Sequence, residues 1–190
     1  ANTMTKGRAI KSFAKYLEEN DIEYFDESDN EFGVPVYIIV CDAENTPDEF
    51  IEVNVVFYGE HDVEVHGIYG PEGTEICRLS KHRNRLYRLL NYINAEVILS
   101  YADKEEGVEP QTFYTSRIYL AEDGSNEIIF STKINYDFWE VAPTVTCKYI
   151  TTFYAELMDI VARPIFSVLQ GNNTVEEAIK YLKESISKLG

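Results

Sequence analysis

Residues 50–69 read FIEVNVVFYGEHDVEVHGIY. In an extended chain Ile51, Val53, Val55 and Phe57 share one face, and Val63 and Val65 share one face of the continuation. Gly59-Glu60-His61 turns the chain between them. A period of two is the pattern of antiparallel strands with one buried side. Upstream, residues 34–41 are rich in Val, Ile and Tyr, with Pro35 at the start, where a missing N–H is tolerated. Asn45-Thr46-Pro47-Asp48 is a turn signal between this run and the next. Three meander strands are therefore expected.

The flanks read as helix on both sides. In residues 5–20, Ile10, Phe13, Ala14 and Leu17 recur at helical spacing. Residues 18–31 then carry eight acids and no base, and Ile22 and Tyr24 alternate with them, as in a short charged edge strand. Downstream, Gly70-Pro71-Glu72-Gly73 is expected as a loop. Residues 80–95 form the next predicted helix, with Leu86, Leu89, Leu90 and Ile93 as its apolar stripe. A short strand is expected over 97–101 and a charged loop over 103–110. Strands over 112–121 and 127–135 come next, joined at Asp123-Gly124, a hairpin signal. Residues 144–169 read as a helix that Pro164 should kink or break. Thr174-Val175-Glu176-Glu177 is a capping box for a last helix over 174–189. No Gly/Ser/Pro-rich linker divides the 190 residues. The pattern predicts one α+β domain, 1–190, whose antiparallel sheet has helices mainly on one face, in the order α-β-β-β-α-β-β-α plus a C-terminal helix.

Seventeen Lys and Arg against 33 Asp and Glu give a net charge of −16. Phosphate neutralisation needs clustered bases, so a nucleic-acid partner is not expected, nor is an anionic membrane surface. The three cysteines, Cys41, Cys77 and Cys147, form no CxxC pair and read as thiols in a reducing compartment. No apolar run reaches 18 residues, and residues 1–10 lack the apolar stretch of a signal peptide. A cytoplasmic location is expected.

The second predicted helix and the segments after it carry a local pattern. Leu89-Leu90-Asn91-Tyr92-Ile93-Asn94 places N-x-x-N at a helix end. Tyr119-Leu120, Glu122-Asp123-Gly124, the aliphatic run 128–134 and an aromatic-rich helix with Phe153 come next. With the order of elements over residues 9–169, this resembles the YbjN-like family, whose fold is that of type III secretion chaperones. Against that pattern residues 102–111 read as an inserted loop and 174–189 as an added helix. The resemblance implies a dimer-forming, partner-binding module more than an enzyme. From the residues themselves, Asn91 and Asn94 would fix the exit from helix to strand, because carbonyls at a helix end lack partners and Asn tolerates left-handed geometry.

Chemistry-bearing residues are few. Glu60 to His66 is dense in metal-ligand types, but in a strand His61 and His66 point to opposite faces, so a solvated strand face is expected and no metal. Counted from Asp26, an EF-hand needs Gly at position six and Glu at twelve, where the chain has Glu31 and Tyr37. No GxxxxGK[ST], GxGxxG or GxSxG occurs. Asn172-Asn173-Thr174 matches a glycosylation sequon and reads as a loop that caps a helix. Cys77, beside Arg78 and close to Lys81 and His82, is the thiol that nearby charge could activate. The alternative is a plain loop cysteine.

The sharpest electrostatic feature is Arg78, Lys81, Arg83, Arg85 and Arg88, five bases within eleven residues. Lys81, Arg85 and Arg88 share a helical face that either meets carboxylates of residues 18–31 or of a partner chain, or is simply solvated. A non-enzymatic interaction module without cofactor or catalytic residues is the resulting expectation, bound to a protein partner or to itself as a homodimer. A small-molecule sensor or enzyme with a pocket between sheet and helices is the alternative.

Overall fold

The computed structural model describes residues 4–98 and 115–188. Helix α1 (Lys6–Glu19) starts at Thr5, whose hydroxyl accepts the Arg8 N–H. A two-residue strand β1 (Phe25–Asp26) comes next, then β2 (Val36–Asp42), β3 (Phe50–Val56) and β4 (Asp62–Tyr69). After these stand α2 (Pro71–Leu79) and α3 (Arg83–Tyr92), the latter continued by a π-helical turn, Ile93–Val97. Strands β5 (Thr115–Leu120) and β6 (Ile128–Asn135) precede α4 (Tyr136–Val141) and α5 (Pro143–Lys148). A second π-helical turn, Tyr149–Phe153, leads into α6 (Tyr154–Leu169). Helix α7 (Val175–Ser187) closes the described chain. The expected inserted loop, 102–111, and the rest of the expected strand beyond Ile98 lie outside the described residues.

The six strands form one antiparallel sheet in the order β1-β2-β3-β4-β6-β5. The α+β class and the meander hold. The alternation in residues 50–69 sets the register. Val53 lies opposite Gly67 and Val55 opposite Val65, so every second residue of β3 and β4 is buried. The described helices pack on that buried face. Phe13 of α1 meets Tyr37, Phe57 and Trp139 with ring centroids 5.9–6.2 Å apart. Helix α6 lies across β3 and β4.

That crossing depends on Gly67. A Cβ there would stand 2.3 Å from Met158 Sδ and 2.9 Å from Tyr154 Cε1. The missing side chain lets the Tyr154 ring lie on the sheet, with its hydroxyl 2.8 Å from the Val65 carbonyl and 2.5 Å from that of Phe130. Tyr69 returns the contact by donating its hydroxyl to the Met158 carbonyl at 2.7 Å.

Four expectations are corrected. Residues 70–73 are not a loop but the first turn of α2, with Pro71 at its start. Its free N–H groups are satisfied from a distance: Asp48, in the turn between β2 and β3, accepts Glu72 N–H at 2.8 Å and Gly73 N–H at 2.9 Å. The predicted helix 80–95 forms, as α3 and the π turn after it, but begins at Arg83 and not at residue 80. The predicted strand 97–101 begins helical, since Val97 ends the π turn and Ile98 is helical. Pro164 does not break α6. Val161, Ala162, Ile165 and Phe166 are buried around it, and that packing outweighs the lost backbone hydrogen bond. The Thr174–Glu177 capping box is formed on both sides, at 3.1 Å each way.

Gly67→Ala overpacks the crossing and should destabilise the protein by about 1–3 kcal/mol. Tyr154→Phe removes the one hydroxyl proton that the Val65 and Phe130 carbonyls share and should cost about 1–2 kcal/mol. Urea unfolding tracked by circular dichroism measures both, and a neutral Gly67→Ala would contradict the described crossing.

Candidate functional site

Burial alternates along β3 and β4, so their second face stays partly exposed, while β6 carries three successive buried residues, Phe130, Ser131 and Thr132. The register reads out what lies on the second face. One row runs Ile38, Asn54, His66, Ser131, Arg117, each residue paired with the next. The row on one side is Val36, Val56, Glu64, Lys133, and on the other Val40, Glu52, Ile68, Ile129, Tyr119. The β2 end of this face is therefore apolar, with Val40 48% exposed. The β4-β6-β5 end is polar.

The polar end holds a depression of about 630 Å³ bordered by Glu64, His66, Arg117, Tyr119, Ser131 and Lys133. Glu64 is engaged on both oxygens. Oε2 lies 3.3 Å from His66 Nε2, and Oε1 lies 3.3 Å from Lys133 Nζ. Because a carboxylate only accepts, His66 presents Nε2–H to it. The Arg117 guanidinium lies over the Tyr119 ring, 5.2 Å from its centroid. Glu64 and His66 were read from the sequence only as part of a run of metal-ligand types and Tyr119 only as part of a strand pattern; Arg117, Ser131 and Lys133 were not singled out. The signal was present in the alternation of β4 and β6, but placing Arg117 beside Ser131 and His66 requires the pairing of distant strands.

The edges of the sheet are managed differently. On β5, Asn94, in the π turn that continues α3, binds the backbone of Ile118 twice. Its Oδ1 accepts the Ile118 N–H at 2.8 Å, and its Nδ2 donates to the Ile118 carbonyl at 2.9 Å. One side-chain amide thus imitates the partner strand and plugs the middle of the edge. Asn94 does tie helix to strand, but not as expected: it lies inside the helical run, in the π turn Ile93–Val97, and not at a helix end in left-handed geometry. Asn91 is exposed and makes no such tie among the described residues. Tyr87 of α3 adds a second tie, hydrogen-bonded to Glu122 in the β5–β6 loop, which raises the Tyr87 pKa. At the opposite edge β1 pairs only with Tyr37 and Ile38 of β2.

The basic residues divide. Arg78 pairs with Glu75 on α2, and this hydrogen bond holds the Glu75 carboxyl below its ordinary range. Arg83 donates to the carbonyls of Cys77 and Arg78 and so caps the end of α2. Arg88 pairs with Glu176 of α7, which lowers the Glu176 pKa. Lys81 is not on the helix but in the turn between α2 and α3. Among the described residues Lys81 and Arg85 have no carboxylate partner. The carboxylates that the stripe meets within the chain are thus Glu75 and Glu176, not those of residues 18–31.

The thiol and metal expectations resolve structurally. Cys77 is not a loop residue but is buried in α2, and burial pushes its thiol up despite the opposing Arg83 charge. His82 does not reach it. Its ring packs against Gly171, and its backbone N–H donates to Ser80 Oγ at 3.0 Å. Burial also raises Cys147 to about 12 and Cys41 to about 11. His61 lies in the turn before β4, not in the strand. No three His, Cys, Asp or Glu side chains converge on one point among the described residues. No described helix is long and apolar enough to cross a membrane. Comparisons with protein-family models, with curated proteins and with solved structures return no match.

Asn94→Ala should lower stability by about 1–2 kcal/mol, since it strands one donor and one acceptor of Ile118. It should also introduce concentration-dependent self-association by light scattering, as the edge opens. The thiols give a pH dependence. A raised folded-state pKa adds nothing below the unfolded value, near about 8.5, where both states are neutral. Above it the unfolded chain ionises first, so stability should fall as pH climbs from about 9 towards 12. Urea midpoints across that range check the sign, and Cys147→Ala should flatten the slope.

Proposed function

We propose that the protein is a non-enzymatic interaction module. It holds a partner on the uncovered face of its sheet, in an arrangement like that of the type III secretion chaperones. The observation that carries this reading is the one-sided packing: α1, α4 and α6 lie on the face of Ile51, Val53, Val55, Val63 and Val65, and α2 and α7 pack on α6. The opposite face keeps an apolar end at Val36, Ile38, Val40 and Val56 and a polar end around Glu64. The helix-strand-helix-strand-helix order supports the YbjN-like resemblance, with α2 and α4 as further helices within it. The plugged β5 edge favours the face over strand addition as the mode of contact. Unpaired cysteines accord with a cytoplasmic setting.

Lys81 and Arg85 are the part of the basic stripe left for a second chain, and Arg88 joins them only if it releases Glu176. A homodimer that sets these bases against the acids of residues 18–31 of a second copy fits the charge separation. No nucleic acid or cofactor is called for. The enzyme reading loses its main support with the burial of Cys77 away from His82.

Two measurements test this. Ile38→Glu with Val40→Glu should abolish capture of a protein partner from native lysate while leaving the unfolding midpoint within a few degrees. Equal capture by wild type and variant would remove the face as the contact surface. In static light scattering, wild type should report a dimer that loosens at high salt, and Lys81→Glu with Arg85→Glu should report a monomer. A wild-type monomer indifferent to salt would remove the basic interface.

A further inference from the structure

The depression at the polar end of the open face has an unusual floor. Ser131 is 7% exposed, yet among the described residues its hydroxyl has no hydrogen-bond partner. Buried polar groups are almost always satisfied, and an orphan asks for an explanation. Its position supplies one. Ser131 sits between His66 and Arg117 in the row that crosses β4, β6 and β5, with neighbours roughly 5 Å away on either side. A small side chain between two long ones makes a well, and the Ser131 hydroxyl is at its bottom.

The walls of the well are donors. Arg117 has no carboxylate partner among the described residues and is held over the Tyr119 ring. Lys133 leans in from the same strand as Ser131, two residues on. Glu64 is the one acid, and it is already occupied by His66 and Lys133. Arg117 and Lys133 against Glu64 leave one positive charge, His66 apart. That excess suits a monoanion, whereas a phosphate dianion would be driven against Glu64 in a chain of net charge −16. A guanidinium fork pairs with a carboxylate through two parallel hydrogen bonds, and the serine hydroxyl supplies a third. Tyr119 offers an apolar wall for whatever carries the group.

We propose that Arg117, Ser131 and Lys133 form a binding site for a single carboxylate. The proposal rests on the open face as a binding surface and narrows it to one chemical group. The carboxylate belongs either to a free small acid or to the end of a polypeptide.

The test is a titration of the ¹⁵N-labelled full chain at constant ionic strength, monitoring the amides of Arg117, Ser131 and His66. The probes are sodium acetate, inorganic phosphate, an acetylated tripeptide with a free C-terminal carboxylate, and the same tripeptide amidated. Acetate and the acid tripeptide should shift these amides saturably and compete, and the amidated peptide should not. Tighter binding of the acid tripeptide than of acetate assigns the group to a polypeptide; equal binding assigns it to a small acid. Arg117→Gln and Ser131→Ala should each weaken binding about tenfold, the loss of one charge-assisted hydrogen bond. Ser131→Ala should leave the unfolding midpoint unchanged or raised, because no internal bond is lost. Absence of saturable shifts, tighter binding of phosphate, or binding indifferent to both substitutions would overturn the carboxylate site. Each of those results would leave the Ile38 and Val40 test of the open face standing on its own.

Discussion

Gly67 is the point on which the architecture turns. The sheet consists of a meander, β1 to β4, and a hairpin, β5 and β6, and the two meet only along β4 and β6. Tyr154 lies over Gly67 and places its hydroxyl between the Val65 carbonyl on β4 and the Phe130 carbonyl on β6. One tyrosine therefore ties the long helix to both halves of the sheet at their joint. Burial drives its pKa well above the ordinary tyrosine value, so the hydroxyl remains a donor at physiological pH. A side chain of any size at position 67 would lift the ring from the sheet and separate helix from joint.

One-sided packing is the consequence of that contact. With α6 anchored on the buried face, α1 and α4 fill the same side through Phe13, Phe57 and Trp139, and α7 packs on α6 and α3. The other face and the two edges are left to be managed by side chains alone. Asn94 closes the centre of β5. Charge crowds the short β1 side, where residues 18–31 discourage a second sheet from pairing. Against those protections, the half-buried apolar residues on the open side of β2 and β3 are the part of the sheet left without cover among the described residues.

How much of this was readable in the chain depended on how far apart the cooperating residues lie. The alternation in 50–69 and the Thr174–Glu177 box are local, and both form as their spacing requires. The start of α2 was hidden because its cap, Asp48, comes from 24 residues upstream. Residues 70–73 carry only the turn chemistry of Gly and Pro. Helix α4 is six residues long, too short for a stripe to declare itself. Pro164 misled because proline's penalty is a local term, while the burial of its neighbours on α6 is a tertiary one. The basic stripe was legible as composition, but its division was not. Whether an arginine caps α2, pairs with α7 or stays free is decided by partners that sequence spacing does not specify.

The same distinction gives the open face its meaning. In a chain with about two acids for every base, Arg8, Arg78 and Arg88 each pair with a carboxylate, whereas among the described residues Arg117 does not. It is stacked on Tyr119 and set beside a serine whose buried hydroxyl is also unmatched. A lone unpaired base on a surface is ordinary, and a lone unsatisfied hydroxyl is a small defect. Side by side on adjacent strands, each supplies what the other lacks a reason for: a charge to attract an anion, and a fixed donor to orient it. The cost of leaving both unsatisfied is of the kind that folds carry where a ligand completes the hydrogen bonding.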